Sequence, residues 1–330
     1  MPGDRRDQAV LASVSADVVI NFLGYDLPDV EADYAVFAGK IRQYIFISTA
    51  TVYAKPHRQL PITEDGPKGN PFSEYARKKW AVEQWLVAHP DFPVTIVRPS
   101  HTYSCRWFPN VVSSAGWTFA SRLVAGQPVF VPNHGTNLWT LTHATDFAVG
   151  LAGLVGNDAA IGEVFHITSD EALPWNKIYA ETAAALGAPS PFIERIPVDY
   201  LCTRFPELSA GIQGDKAEPG VFDNAKIKKF VPDFICRKPF AVGIRESVAW
   251  YAAHPSEKIS SPKRMRSSTK RLPCGGNAPS RSVTVSSKNR PVPRPRDSWR
   301  CGRNSRNCRP QSAVRFRQQR QSVCRGRNRH

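Results

Sequence analysis

Four polar side chains in the first quarter of the chain have the types and spacing of a proton-transfer site. Tyr75 and Lys79 are four residues apart, so in a helix their side chains share one face. Ser48 and Thr49 are the first hydroxyl residues after an apolar run. A tyrosine hydroxyl, with its usual pKa of about 10, is a poor base at neutral pH, but a nearby ammonium group favours the phenolate and lowers that pKa. Together these groups predict a site that moves a proton while a cofactor accepts or donates a hydride.

The segments around these residues predict how the side chains are positioned. Residues 44–47 are β-branched and aromatic, which predicts a strand that ends directly before Ser48. Ligands of an open parallel sheet bind at the carboxyl edge of its strands, where Ser48 and Thr49 would lie. A loop rich in turn residues follows, and an amphipathic helix is predicted to begin at Tyr75 and to end at Pro90. A Tyr-x-x-x-Lys pair alone is usually a solvated helix face, so the order of strand, hydroxyls, loop and helix carries the prediction.

Three motifs resemble those of the extended short-chain dehydrogenases/reductases, the NAD-dependent epimerase/dehydratase group. They are Ser-Thr-Ala-Thr-Val-Tyr at residues 48–53, the Tyr75/Lys79 pair, and Val-Thr-Ile-Val-Arg-Pro at residues 94–99. The resemblance implies an α/β, Rossmann-like fold with a doubly wound parallel sheet, and an enzyme that uses NAD or NADP. It also implies that Thr49 holds a substrate oxygen, that Tyr75 is the acid/base, and that Lys79 binds the nicotinamide ribose and lowers the pKa of Tyr75.

The same resemblance, which runs from near the start of the chain to about residue 255, assigns further residues to the two ligands. The expected cofactor contacts are Asp4 at the adenine, Phe22 and Gly24 along the ribose and phosphates, Ser48, Tyr75, Lys79, and Pro99 beside the nicotinamide. The expected contacts with a sugar-like substrate are Ser48, Thr49, His101 and Trp139.

Two positions depart from the pattern of that family. His101 stands where an Asn commonly contacts substrate, and a histidine can donate to a sugar oxygen but also titrates near pH 6–7. Trp139 stands where nucleotide-sugar enzymes generally place an Arg for the diphosphate, which weakens the case for a nucleotide-sugar substrate. Trp139 either stacks on a ring of the substrate or belongs to the core, and both interpretations stay open.

The sequence contains no G-x-x-G-x-x-G turn between a strand and a helix. Such glycines let the backbone approach a pyrophosphate, whose charge the helix N-terminus stabilises. We therefore expect that the chain is N-terminally truncated, lacks its first β-α-β units, and is impaired as an enzyme. We expect residues 1–130 to form a partial dinucleotide-binding domain, and residues 131–256 to be mainly substrate-binding, with some segments returning to the main sheet.

Charge is distributed unevenly along the chain. The net charge is +16, but residues 257–330 hold 21 of the 44 Lys and Arg residues and 2 of the 28 acidic residues. The remainder is therefore close to neutral, which argues against nucleic-acid binding by the folded part. The Arg-rich tail has too few aliphatic residues to fold, and is either a disordered arm that binds polyanions non-specifically or the product of a frameshift.

The remaining sequence features exclude several classes. The seven cysteines have no metal-ligand spacing, no metal site is expected, and no apolar run approaches the roughly 20 residues of a membrane helix. Without a secretory signal, a cytoplasmic protein is expected, and a homodimer is possible. The leading hypothesis is an epimerase, dehydratase or reductase that acts on a hydroxyl or carbonyl carbon. The alternative is a non-catalytic RNA-binding relative of the same fold; the exact substrate and the choice of NAD or NADP stay open.

Overall fold

A computed structural model describes Asp4, residues 7–113 and residues 116–259. The strands are β1 Val18–Asn21, β2 Gln43–Ile47, β3 Val94–Pro99, β4 His101–Tyr103, β5 Val129–Pro132, β6 Leu138–His143, β7 Val164–Ile167, β8 Ala172–Pro174 and β9 Ile193–Ile196. The helices are α1 Gln8–Ala12, α2 Leu27–Phe37, α3 Glu74–Val87, α4 Gly116–Val124, α5 Ala144–Leu154, α6 Trp175–Ala185, α7 Val198–Arg204, α8 Ser209–Gly211, α9 Ala225–Phe230 and α10 Phe240–Ala253. The α/β class predicted from the sequence is confirmed. The predicted tail, from residue 260 onward, lies outside the described residues.

Four parallel strands form the main sheet, in the order β1-β2-β3-β7. Strand β2 lies between β1 and β3, and all five of its residues are buried, as expected for a strand covered on both faces. The register pairs Ile47 of β2 with Val97 of β3. Ser48, directly after β2, and Arg98, near the end of β3, therefore lie at neighbouring positions on the carboxyl edge of the sheet.

Helices cover both faces of this sheet. Tyr44 and Phe46 pack in one apolar cluster with residues of α2 and α3. Ile45 and Ile47 pack in another cluster with residues of α5 and α9. Consecutive side chains of a strand point to opposite faces, so this alternation gives each layer of helices its own set of apolar contacts. The arrangement confirms a Rossmann-like, doubly wound sheet.

A second group of elements packs around its own core, and its segments alternate along the chain with those of the main sheet. It contains the sheet β4-β6-β8, the pair β5-β9, and the helices α4, α6 and α10 around a core with Trp175, Tyr179 and Ile244. Strand β4 begins two residues after β3 ends and pairs with β6. The first strand of the smaller sheet therefore begins directly beside the carboxyl edge of the main sheet.

Contact patterns divide the chain into Met1–Cys274 and Gly275–His330, and the second unit lies outside the described residues. The domain boundaries expected at residues 130 and 256 stay predictions.

Helix α3 begins one residue earlier than predicted, because Ser73 caps it. The Ser73 hydroxyl accepts a hydrogen bond of 3.2 Å from the backbone N–H of Ala76, which satisfies one of the unpaired donors of the first turn. Glu74 therefore already lies in the helix, and Tyr75 occupies its first turn. The motif at residues 94–99 forms the whole of strand β3.

None of the helices among the described residues is both long and apolar enough to span a bilayer. The same part of the chain contains no group of three or more His, Cys, Asp and Glu side chains that could hold a metal ion.

Candidate active site

Three functional side chains lie along one face of α3. Tyr75, Lys79 and Glu83 follow each other at intervals of four residues, so they stand one turn apart on the same side of the helix. Lys79 and Glu83 are each only 1% exposed, whereas Tyr75, in the first turn, remains partly exposed. The buried part of this face packs against the ends of β2 and β3, and its first turn reaches the rim of the sheet.

The Tyr75 hydroxyl meets the hydroxyl residue that follows β2. The Thr49 side chain lies close enough to the Tyr75 hydroxyl to lower the pKa of Tyr75 by hydrogen bonding. Thr49 is fixed because it caps the short turn Ala50–Val52, where its Oγ1 accepts a hydrogen bond of 3.2 Å from the N–H of Thr51. The structure therefore places the helix-borne phenol and the strand-end hydroxyl side by side, and their predicted roles stay predictions.

The pKa of Tyr75 moves in the opposite direction from the one expected. Burial is the largest effect and raises this pKa, while the hydrogen bond from Thr49 lowers it and the nearby Tyr25 and Asp215 raise it further. Lys79 does not offset this rise, because its Nζ lies 6.0 Å from the centre of the Tyr75 ring and points elsewhere. In the ligand-free protein Tyr75 is therefore a protonated phenol at neutral pH.

The Lys79 ammonium group is enclosed by aromatic rings and a backbone carbonyl. Its Nζ donates a hydrogen bond of 2.7 Å to the carbonyl oxygen of Ile47, and lies 4.6 Å from the ring centre of Phe46 and 5.4 Å from that of Tyr25. Burial lowers the pKa of Lys79 to about 8, against the opposing effects of the carboxylates of Glu83 and Asp29. Within the described part of the chain, Ile47 is its one hydrogen-bond acceptor, so two of the three N–H donors of this ammonium group are not used there.

Ser48 is held by the interior of the protein instead of facing the cavity. Its hydroxyl donates a hydrogen bond to Glu83, which is also paired with Arg98 of β3. The Arg98 Nε donates to Glu83 Oε1 at 3.0 Å, and both side chains are almost fully buried. Of the two predicted hydroxyls, Thr49 is the one that contacts Tyr75 and lines the cavity.

The buried network continues from Arg98 to the far strand of the sheet. The Arg98 Nη1 donates a hydrogen bond of 2.9 Å to the Tyr53 hydroxyl, which lies 2.5 Å from His166 Nε2 on β7. Burial lowers the pKa of His166 to about 3, so this ring is neutral. The network links α3, β2, β3 and β7, and it fixes the edge of the sheet where Thr49 and Tyr75 meet.

The loop after β1, expected along the cofactor, is held by the side chain of Asn21. Asn21 Oδ1 accepts hydrogen bonds from the N–H groups of Leu23 at 2.8 Å and Gly24 at 2.6 Å. A Cβ atom at Gly24 would lie 2.9 Å from Asn21 Nδ2, so the close approach requires glycine. Phe22 is 51% exposed, which leaves its ring available to a ligand.

The other two predicted cofactor contacts lie at different places. Pro99 ends β3 and lines the cavity together with Thr49. Asp4 is exposed, and its carbonyl accepts a hydrogen bond from the N–H of Asp7 at the start of α1. The role of Asp4 at an adenine stays a prediction.

A cavity of about 340 Å³ lies beside Thr49, and His101 and Trp139 are both in its wall. His101 stacks on Trp107 with the ring centres 4.6 Å apart. Burial lowers the pKa of His101 to about 3, so the expected titration near neutral pH is wrong. Trp139 is 4% exposed and stacks on Trp175 at 5.6 Å, so it belongs to the core as well as to the wall.

Four residues of the site were missed by reading the sequence. Glu83 had a signal, because it continues the four-residue spacing of Tyr75 and Lys79. Arg98 lies in the recognised motif at residues 94–99, but its partner Glu83 lies outside the recognised motifs. Asp215 and Lys216, which line the cavity as an ion pair, lie in a π-helical turn at Ile212–Lys216 and have no local sequence pattern.

Several known proteins resemble this chain in sequence or in fold. Residues 30–168 match the model of the NAD dependent epimerase/dehydratase family. The chain is 25% identical over 228 residues to the 2′-dehydrokanamycin reductase of Streptomyces kanamyceticus, covering 68% of this chain and 63% of the relative. It is 31% identical over 200 residues to the chloroplast stem-loop binding protein of 41 kDa b of Arabidopsis thaliana, covering 58% of this chain and 50% of the relative.

A solved structure shows the same fold. DesIV, a dTDP-glucose 4,6-dehydratase from Streptomyces venezuelae crystallised with NAD, aligns with a TM-score of 0.62 at 19% identity, over 77% of this chain and 79% of that chain. The chain spans one half to two thirds of the length of the two curated relatives.

Proposed function

Because residues 30–168 match the model of the NAD dependent epimerase/dehydratase family, we propose that the chain binds a nicotinamide cofactor and acts on a hydroxyl or carbonyl carbon of a sugar-like substrate. The observation that carries this proposal is the contact between Tyr75 and Thr49 at the rim of a parallel sheet, with the Lys79 ammonium group one turn along the same helix. The carboxyl edge of the strands is where open α/β sheets bind their ligands. The family relationship and the site thus support the same class of reaction.

The residues present fit the nicotinamide end of the cofactor. Lys79 has two unused N–H groups beside the Tyr75 ring, and these suit the hydroxyls of a ribose. Pro99 and Thr49 lie in the wall of the adjoining cavity, where the ring of the cofactor and the substrate would meet. Both NAD and NADP share this end, so the fit does not distinguish them.

The residues present do not fit the pyrophosphate. Helix α2 starts next to the loop that follows β1, but Asp29 lies in its first turn and accepts a hydrogen bond of 2.9 Å from the N–H of Tyr25. Asp26 precedes the helix as its N-cap. Carboxylates at this end compete for the partial positive charge that a phosphate would use. The described residues would therefore hold only the nicotinamide end of the cofactor, and we expect the cofactor to bind weakly.

In the proposed mechanism, Tyr75 exchanges a proton with the oxygen of the reacting carbon. When bound, the nicotinamide supplies the hydride acceptor or donor. Thr49 holds the same substrate oxygen and stabilises the Tyr75 oxygen through their shared hydrogen bond. Lys79 holds the ribose, and its charge favours the phenolate once a ligand draws the ammonium towards Tyr75.

The test is the oxidation of NADH or NADPH, at high concentration, in the presence of a panel of carbonyl sugars that includes 2′-dehydrokanamycin. Tyr75→Phe keeps the ring but removes the exchangeable proton, so we expect its rate to fall by about 10²- to 10⁴-fold. Tyr200→Phe, at an exposed tyrosine in α7, is the matched control and should keep the wild-type rate. A Tyr75→Phe variant as active as the wild type would contradict the proposed mechanism.

RNA binding is a second candidate function, favoured by the 31% identity to a chloroplast stem-loop binding protein. The near-neutral charge of residues 1–256 argues against it, whereas the basic residues 257–330 would bind any polyanion. Binding of one specific RNA by the folded part and non-specific binding of polyanions by the basic residues differ in their salt dependence. Affinity for one stem-loop RNA that exceeds the affinity for other RNAs at high salt would favour this second function.

A further inference from the structure

One wall of the cavity carries a buried ion pair that the proton transfer does not use. Asp215 and Lys216 both line the cavity that also contains Thr49, and Lys216 Nζ lies 2.6 Å from Asp215 Oδ2. We propose that this pair binds two hydroxyl groups of an uncharged polyhydroxylated ring, so that the substrate is a sugar without a diphosphate. This inference rests on the proposed function, because it names the substrate class of the same site.

The pair has unused hydrogen-bonding capacity. An ammonium group has three donors, and a carboxylate accepts through both of its oxygens. Within the described ranges, Lys216 Nζ donates only to Asp215, and Asp215 Oδ1 accepts no hydrogen bond. The Lys216 side chain is only 4% exposed, so water cannot freely satisfy it. A hydroxyl that accepts from Lys216 and donates to Asp215 would satisfy both groups.

The turn that carries Asp215 is fixed relative to the proton-transfer groups. Asn70 Nδ2 donates to the carbonyl oxygen of Gly214 at 2.6 Å and to that of Thr51 at 2.8 Å. Thr51 belongs to the turn capped by Thr49, and Asn70 lies shortly before α3. Thr49 lines the same cavity as Asp215 and Lys216. A ring held by Asp215 and Lys216 would thus lie beside Thr49.

The balance of charge favours a neutral ligand. The Asp215 carboxylate offsets the Lys216 ammonium. Burial acts to raise the pKa of Asp215, but the Lys216 and Lys55 ammonium groups hold it below its usual value. Lys55, the next cation, is already engaged by His57 at 2.7 Å. A diphosphate here would face a carboxylate in a poorly solvated site, which is costly, whereas hydroxyls leave the charges balanced. Trp107 and Phe222 supply the apolar lining that is usual for small-molecule sites.

The experiment measures sugar binding to the full chain by saturation-transfer NMR, without cofactor or turnover. The probes are the methyl glycosides of glucose, galactose and mannose, with UDP as the nucleotide probe. We expect at least one glycoside to bind, UDP not to displace it, and Asp215→Asn to weaken it by about tenfold or more, because a charge-assisted hydrogen bond is lost. Glu207→Gln, at an exposed acid in the same region, should bind as the wild type does.

A second variant separates binding from folding. Asp215→Leu combined with Lys216→Met removes both charges, so it leaves no unpaired buried ion and should unfold at the wild-type temperature while losing the glycoside. The proposal is overturned if no glycoside binds the wild type, if UDP displaces the bound glycoside, or if the double variant binds as well as the wild type. The reductase assay of Tyr75→Phe tests the proton transfer separately, so the two proposals can fail independently.

Discussion

Burial controls the charge of individual residues in this site more strongly than neighbouring charges do. Lys79 and His101 both have pKa values lowered by burial, to about 8 and about 3. The pKa of Tyr75 is raised by the same effect, against the hydrogen bond from Thr49. His101 therefore acts as a neutral wall residue, and Lys79 is the group that changes charge in the working range of pH.

The pH dependence of stability tests the burial of Lys79. Its pKa is about 8 in the folded protein and 10.5 when unperturbed, so the unfolded chain binds more protons between these values. The cost of burying the charge is complete below pH 8 and disappears as the pH rises to 10.5. We expect the Lys79 contribution to the unfolding free energy to increase by at most about 3 kcal/mol over that range.

The measurement is chemical unfolding of the wild type, Lys79→Met and Lys78→Met at a series of pH values. Lys79→Met should lose this rise in stability with pH. Lys78 is the matched control, since it is the neighbouring residue of α3 and its side chain is 48% exposed. Identical pH profiles for wild type and Lys79→Met would show that Lys79 titrates normally.

At the scale of elements, α3 is attached to the sheet by a buried ion pair as well as by apolar contacts. Glu83 of α3 binds Arg98 of β3 and the Ser48 hydroxyl at the end of β2. Apolar residues of the same helix, Val82 and Leu86, pack against β2 and β3 from one face. Glu83 therefore positions the helix that carries Tyr75 and Lys79 without contacting the cavity.

Glu83→Ala should destabilise the protein by about 3–5 kcal/mol, because it leaves the Arg98 charge buried and unpaired. The matched control is Glu74→Ala on the same helix, where the side chain is 73% exposed and its pair with Lys78 is on the surface. That change should cost only about 0.5 kcal/mol. Urea unfolding measures both, and a Glu83→Ala variant no less stable than Glu74→Ala would refute the structural role of the pair.

The elements themselves could be predicted from the sequence because their signals are local. The apolar run that forms β2 and the periodic segment that forms α3 are each visible within a short stretch of the sequence, and so is the spacing of Tyr75 and Lys79. The meeting of Tyr75 with Thr49 followed from the rule that strand ends and the following helix share an edge.

The rest of the site depends on contacts between distant parts of the chain. Ser48 faces Glu83 instead of the cavity because its hydroxyl donates to the carboxylate that also pairs with Arg98, and nothing near Ser48 in sequence shows this. Asp215 lies more than 160 residues after Thr49, and only the folded chain brings both to one cavity. The depressed pKa of His101 likewise depends on burial that its sequence neighbours do not reveal.

At the scale of the whole molecule, the chain offers unequal support to the two halves of a dinucleotide. In the proposed site, the nicotinamide half would contact Tyr75, Lys79 and Thr49 at one rim of the sheet. The acids at the start of α2, Asp26 and Asp29, oppose the phosphates beside β1. The protein should therefore recognise the nicotinamide half of its cofactor and gain little from the adenine half.

Titration of the wild-type chain with NAD, nicotinamide mononucleotide and AMP tests this claim most directly. Calorimetry should give dissociation constants for NAD and nicotinamide mononucleotide within about threefold of each other, because the added contacts of the adenine half are worth less than about 1 kcal/mol. AMP should not bind, and Lys79→Met should weaken both nicotinamide ligands. Tight binding of NAD that AMP competes away, with no binding of nicotinamide mononucleotide, would contradict the account.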